Sequence, residues 1–313
     1  MLFCRAVIVL FVFLMLCEQT QGTTKLNAEG FATGDTTILH LTEPHTTYYA
    51  GTSAEWFVDS TRALTIQEVS SPRFNNAFRP SSVQYPQFGI TSSAVWFRLR
   101  LRKWYDDQYN NQAAWTLAAA GTFADSVEVY CLSNHDGQMR GQKEWHKQVS
   151  GVAVAAGNRP LHSLAASFPL RLEHDSTETI YLRFSSTTSI LAELILYPSD
   201  TFIKKEICNT LTVGTIYGVF IFTILYNCVL WLTLRDRIYG LYVGYALVNA
   251  FTFTLNVGYL ALYGTTSTIP NIFISLPPVA QILSAVSGAL FCRQFFGLRE
   301  TYPVWNHILM FYV

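Results

Sequence analysis

The stretch "AVWFRLRL", Ala94 to Leu101, sets one indole and two guanidinium groups at alternate positions: Trp96, Arg98 and Arg100. Successive side chains of an extended strand point to opposite faces. These three therefore share one face, while Val95, Phe97, Leu99 and Leu101 share the other. A flat indole beside a cationic fork suits stacking on a sugar ring or docking of a small polar molecule. Trp96, Arg98, Trp104, Trp115, Trp145 and Arg183 are accordingly the candidate ligand-binding residues. The structural reading stands beside the functional one: a sandwich anchors its core with one or two Trp, and strand arginines face water.

Catalytic patterns are missing. The sequence contains no Gly-rich phosphate loop, no His-Glu-x-x-His, no Gly-x-Ser-x-Gly and no Cys-x-x-Cys. Its seven histidines are scattered, with His40 and His45 in a Thr-rich stretch, and they read as surface residues rather than metal ligands. The expectation is a chain without metal or cofactor and without enzymatic activity of its own.

The elements that would hold these residues follow from charge. Only 13% of the 313 residues are charged, against about 25% in an ordinary soluble domain. From Lys25 to Glu206 charged, polar and apolar residues mix; beyond Glu206 charges occur only at Arg235, Asp236, Arg237, Arg293, Arg299 and Glu300. A soluble part therefore gives way to a membrane part near Glu206. Net charge is zero and no basic run occurs, which argues against nucleic acid as a partner.

Residues 1–22 read as a signal peptide: Arg5, then the apolar "AVIVLFVFLMLC", then "EQTQG". About 7–15 apolar residues suit export and are too few to span a bilayer. An uncleaved anchor or a lipid-bearing Cys17 are the rival readings. Of the remaining cysteines, Cys228 and Cys292 lie in apolar runs, and Cys131 and Cys208 are the pair whose bridging is left open.

Spans are expected at 211–234, 238–263 and 275–296, with a fourth starting at 304. The first, 24 uncharged residues, reaches ~36 Å and so crosses a ~30 Å hydrocarbon core. The third is expected to begin at Ser275 as N-cap, with Pro277 and Pro278 in its first turn. With the N-terminus exported, Arg235 and Arg237 after the first span and Arg293 and Arg299 after the third all fall inside, while the loop "YGTTSTIPN" outside is uncharged; this is the positive-inside bias. In the second span Tyr242, Tyr245, Asn249, Thr252, Asn256, Tyr259 and Tyr263 recur at alternating spacings of 3 and 4, one helical stripe. Polar groups facing lipid are costly, so the stripe faces other helices as a hydrogen-bonded seam, or else lines a ligand or proton path. The absence of Asp, Glu, Lys and His from the spans favours the seam. Gly214 with Gly218, and Ser284 with Gly288, are small-residue pairs suited to close helix contact.

Between residues 39 and 200 period-2 runs recur: "AVWFRLRL", "WTLAAA", "SVEVYCL", "SFPLRLE", "TIYLRFS" and "LAELILY", separated by turns such as "SNHDGQ" and "EHDSTE". These predict an antiparallel sandwich or barrel after a lead-in at 23–38. "TRALTIQEVS" fits a strand or a short helix.

These runs, in this order after "AEWFVDSTRALTIQEV", resemble the type 2 extracellular domain of the bacterial seven-transmembrane receptors with diverse intracellular signalling modules (7TMR-DISM). Tyr226-Asn227, "LRDRIYGLYVGY" and "FCRQFFGLRETYP" resemble that family's membrane unit. The resemblance implies an all-β jelly-roll-like sandwich in the periplasm, akin to carbohydrate-binding modules. It further implies a helical bundle of seven spans in the bacterial inner membrane and a cytoplasmic output module. This sequence ends at Val313, inside the fourth expected span, so it reads as a truncated frame or fragment, with a natural short form as the alternative. The function so implied is a sensory receptor whose sandwich binds a periplasmic small molecule or carbohydrate. Its partners are then that ligand and the lipid bilayer, with self-association left open. A membrane-anchored carbohydrate-binding or adhesion module is the competing reading; a transporter trails, since no charged or broken mid-membrane helix is visible.

Overall fold

A computed structural model describes residues 37–43, 46–104, 114–120, 124–133, 144–172, 176–187, 189–259, 262, 270–301, 303–304 and 306–307. The signal peptide, Tyr263, the turns "NHDGQ" and "EHD" and most of the expected fourth span lie outside the described residues.

The N-terminal part is built from strands because its apolar residues alternate. The longest, β6 (Ala94–Lys103), buries Val95, Phe97, Leu99 and Leu101 on one face. It pairs antiparallel with β11 (Thr177–Ser185), which buries Ile180, Leu182 and Phe184 at the same depth. Outward from β11 come β8 (Ser126–Ser133) and β9 (Glu144–Ser150). On the other side of β6 lie β3 (Glu55–Asp59) and then β4 (Arg79–Pro80), while β1 (Ile38–Leu41) runs parallel to the second half of β6. A second sheet has the order β10 (Ala166–Leu170), β7 (Trp115–Ala120), β13 (Glu193–Pro198) and β2 (Tyr48–Tyr49). Phe168, Leu117, Leu194 and Leu196 from this sheet meet the inner face of the first in one continuous core. A ribbon of β5 (Gln87–Ile90) and β12 (Ser189–Leu191) closes one edge. The expected sandwich is present, and each of the six quoted runs carries a strand.

"TRALTIQEVS" resolves as a helix, α1 (Ile66–Val69). Thr65 and Glu68 form a reciprocal capping box, Thr65 N–H donating to Glu68 Oε2 at 2.8 Å. Such a cap contributes about 1 kcal/mol, enough to decide a one-turn helix.

The C-terminal part is helical, with three helices among the described residues long and apolar enough to cross a membrane. The first, α2 (Ser199–Leu234), starts directly after β13 and has 36 residues. It therefore extends ~54 Å, and nearly half of it stands outside the ~30 Å hydrocarbon core. It ends at Arg235, whose left-handed backbone (φ 51°) turns the chain, and Asp236 caps the next helix by accepting from the Ile238 N–H at 3.0 Å. The two charges thus make a two-residue bend.

α3 (Arg237–Val257) is interrupted at Gly258, which takes the left-handed conformation (φ 83°) that ends helices readily; the backbone is helical again at Tyr259 and Leu262, and the expected end at 263 lies outside the described residues. α4 (Pro270–Phe295) begins five residues before the expected Ser275 and holds Pro277 and Pro278 inside it, not in its first turn. Both prolines remove intrahelical hydrogen bonds, a loss that membrane helices tolerate where neighbouring groups compensate. A short α5 (Leu298–Thr301) follows.

Candidate functional site

The outer face of the large sheet is where the polar positions of five strands converge. Register places Arg183 opposite Trp96 and Glu128, Tyr181 opposite Arg98 and Tyr130, and Glu55 opposite Arg98. Alternation predicts this face to be open to water. Instead, residues 59–80 cross it as a strap: α1 buries Ile66 and Val69 against it, and Phe78 follows. Trp96 is fully buried in consequence, stacked on Tyr130 at 5.7 Å, and Arg98 is only 4% exposed. The expectation that these two side chains meet solvent is corrected. What the alternation could not register is a covering segment supplied from elsewhere in the chain.

The strap is held by charge as well as by apolar contact. The Asp59 carboxylate accepts from the backbone N–H groups of Thr61, Arg62 and Leu64 and from the Thr61 hydroxyl at 2.6 Å. Burial pushes its carboxyl up, but these hydrogen bonds outweigh burial and hold it below the usual aspartate value. Arg62, in the left-handed region at φ 58°, reaches the Ser185 hydroxyl, and its carbonyl accepts from Arg183 Nη2 at 2.8 Å. Beneath the strap, Arg98 donates to Glu55 Oε2 at 2.7 Å and to Asn75 Oδ1 at 2.8 Å, with its guanidinium 4.4 Å from the Phe78 ring centre. Glu55 also meets Arg100 at 3.3 Å.

At the other end of the face, Glu128 accepts from Tyr130 at 2.6 Å and from Lys147 at 2.9 Å, and lies 3.5 Å from Arg183. Burial raises its carboxyl, yet these hydrogen bonds and the charges of Lys147 and Arg183 leave it below the ordinary glutamate value. Tyr130 is driven the other way, by burial first and by its bond to Glu128 second. Among the described residues, Trp96 Nε1 and Arg183 Nε are buried donors without a hydrogen-bond partner. An unpaired buried donor costs about 1–3 kcal/mol, so two on facing positions of neighbouring strands mark a place where an acceptor is wanted. Indole, phenol and guanidinium groups around such a place recognise hydroxyl or carboxylate oxygens on a planar or ring-shaped molecule.

Four of the six candidates, Trp96, Arg98, Trp145 and Arg183, thus share this face, with Trp145 half-buried and edge-on to Tyr181 at 5.5 Å. The other two do not join them. Trp115 is buried in the core between the sheets, 5.8 Å from Tyr48. Trp104, 50% exposed at the end of β6, donates to His40 Nδ1 at 2.6 Å beneath the Arg102 guanidinium. Sequence reasoning missed Glu55, Glu128, Tyr130 and Tyr181. All four occupy polar positions of strands whose alternation is plain, so the signal was present in "EWFVD", "SVEVYCL" and "TIYLRFS". Cys131 faces inward, its thiol pushed up to about 12 chiefly by burial, and both it and Cys208 are free thiols.

The sandwich is joined to the membrane part without a linker. Pro198 closes β13 and Ser199 opens α2. The Ser199 N–H and hydroxyl both donate to the Ala114 carbonyl, at 3.0 and 2.6 Å, and Phe202 is buried against Ala118, Ile195 and Tyr197 on the outer face of the small sheet.

Within the bundle the polar stripe divides. Ser284 of α4 donates to Asn249 Oδ1 at 2.9 Å, and the Thr252 hydroxyl lies 3.2 Å from the Ala280 carbonyl. Tyr242 and Tyr245 pack on Phe291, and a Cβ at Gly288 would come within 3.0 Å of the Tyr245 ring. Tyr259 instead neighbours Tyr217 of α2, whose hydroxyl donates to Thr254 at 2.9 Å. Asn256 is exposed in the described structure and does not join its stripe-mates. Gly214 and Gly218 have open space where a Cβ would stand, so that pair forms no close contact among the described residues; the close approach lies instead at Gly240, against Trp231. Arg293 donates to Asn306 at 2.7 Å.

Comparison with known families matches both halves. Residues 51–198 match the 7TMR-DISM extracellular 2 family, and residues 209–313 match the family described as 7TM diverse intracellular signalling. No curated protein matches the chain. With a strand sandwich under the first match and apolar membrane-length helices under the second, the chain belongs to the seven-transmembrane receptors with diverse intracellular signalling modules, as a membrane protein with an extracellular N-terminal domain.

Proposed function

We propose that this chain acts as the sensor of an inner-membrane receptor. The periplasmic sandwich binds a small molecule or carbohydrate at the strapped outer face of its large sheet, and the helices relay the event to a cytoplasmic signalling module. With the strap displaced, Trp96, Tyr130 and Trp145 supply the stacking surfaces, and Arg183 and Arg98 the polar contacts. In this reading Arg235, Arg237, Arg293 and Arg299 sit on the cytoplasmic side.

The observation that carries the reading is the splice at Pro198–Ser199. A strand hydrogen-bonded within the sandwich becomes a membrane helix in one step, stitched by Ser199 and buried Phe202. An adhesion module needs only a tether; a relay needs a joint that does not absorb displacement. The Asp59–Arg62–Arg183 contacts link the strap to β11, so displacing the strap for a ligand changes the sheet that carries the core.

The test uses the full chain in lipid nanodiscs and a panel of mono- and oligosaccharides and small organic acids. A binder is expected to raise Tm and to change amide exchange both in residues 59–80 and in residues 199–211. Arg183→Ala should remove the Tm shift. Exchange changes confined to the strap, with none in residues 199–211, would reduce the chain to a binding module.

A further inference from the structure

A cleft of about 490 Å³ opens where the small sheet meets α2, away from the strapped face. One wall belongs to the sandwich, with Leu161 and Pro169; the other is α2, with Ile203, Ile207 and Leu211 at successive four-residue steps. Side chains four apart stack on one helix face, so these three form an apolar ridge. All three are largely exposed, Ile203 at 57%. Small-molecule sites run from about 300 to 1,000 Å³, and this one is lined mainly by carbon.

Position identifies the occupant. The lower end of the ridge, Leu211, is the first residue of the uncharged run that crosses the membrane. Ile203 stands eight residues above it, ~12 Å along the axis, just past a headgroup layer of ~5–8 Å, so the ridge runs from the hydrocarbon edge through that layer. The cleft is thus continuous with the lipid-facing surface of α2. Lys204 projects from the same turn, its side chain 79% exposed and 3.9 Å from the Asp200 carboxylate, long enough to reach down toward lipid phosphates. Glu206 in the wall opposes a free carboxylate, which disfavours a fatty acid and favours an esterified chain. We propose that the cleft takes one acyl chain of a bilayer phospholipid, drawn from the leaflet on the sandwich side and laid along Ile203, Ile207 and Leu211 beneath Leu161 and Pro169. A lipid seated there wedges the sandwich against its first span. This inference stands independently of whether the strapped face binds a ligand.

The experiment reconstitutes the full chain in phosphatidylcholine vesicles containing a phosphatidylcholine with a diazirine midway along one acyl chain, and maps the photo-adducts by peptide mass spectrometry. Adducts are expected in residues 161–169 as well as on α2. Adducts on α2 alone mean ordinary lipid contact and overturn the proposal. Ile203→Trp, at an exposed position that tolerates the larger ring, narrows the cleft. It should abolish labelling of residues 161–169 while leaving labelling of residues 212–234 and the Tm unchanged; retained labelling of 161–169 overturns the proposal. Added dodecanoate should not compete. Competition by it would assign the cleft to a water-borne amphiphile and overturn the bilayer source.

Discussion

The strapped face of the sandwich and the α3–α4 contact both bury polar side chains, but they satisfy them differently. On the sandwich Glu55 and Glu128 are each shared by two cations, and the charges sit under an aromatic layer. Between α3 and α4 the polar contacts are neutral: a hydroxyl to an amide oxygen, a hydroxyl to a backbone carbonyl, rings over a glycine. Water explains the contrast. The sandwich exchanges hydration for ion pairs, burying Arg98 with Glu55 and leaving Lys147 half-exposed on Glu128, whereas a charge between lipid-embedded helices has no hydration to return to. The first region is therefore strongly sensitive to losing one partner, and the second to losing shape.

Breaking the first region gives the largest effect. Glu55→Ala leaves Arg98 buried without its carboxylate and should destabilise the sandwich by about 3–5 kcal/mol, read from denaturant unfolding by Trp fluorescence. Replacing Glu55 and Arg98 together by Leu and Met should recover most of that loss. Acid attacks the same region. The Asp59 and Glu128 carboxyls are depressed in the folded state, so their contribution is complete above the ordinary carboxylate range and is lost as pH falls through their folded values. The sandwich Tm should hold steady from neutral pH downward, then drop below about pH 4.5, the unperturbed glutamate value. Glu128→Gln should make that drop shallower.

The bundle responds to volume. Gly288→Leu forces a side chain into the Tyr245 ring and should cost about 1–3 kcal/mol, measured by thermal unfolding in nanodiscs, whereas Gly214→Ala should cost nothing because the space there is open. The smallest effect is expected at Ser284→Ala, about 0.6 kcal/mol for one interhelical hydrogen bond in a membrane. A loss there as large as that of Glu55→Ala would dissolve the contrast between the two regions.

Much of this arrangement was legible in the residues. Alternation in β6, β8 and β11 assigned every side chain to its face, and the charge gap after Glu206 placed the helices. The strap was not legible, because "TRALTIQEVS" carries a local helix signal but nothing local says which surface it covers; only the sheet register brings Arg62 to Arg183. Trp115 was misplaced for a related reason: in "WTLAAA" alternation puts Trp115 and Leu117 on one face, and this is the face the second sheet turns inward. α3 is interrupted because Gly258 breaks a helix at its own φ, and the start of α4 moved because Pro277 and Pro278 did not begin one.

The proposed relay requires the sandwich and its first span to move as one piece. Spin labels at Cys208 on α2 and at a cysteine replacing exposed Val83, with the remaining cysteines substituted, report this directly by pulsed electron–electron double resonance in nanodiscs. A single narrow distance peak is predicted. A broad distribution, as from a domain swinging on a tether, would contradict the rigid splice.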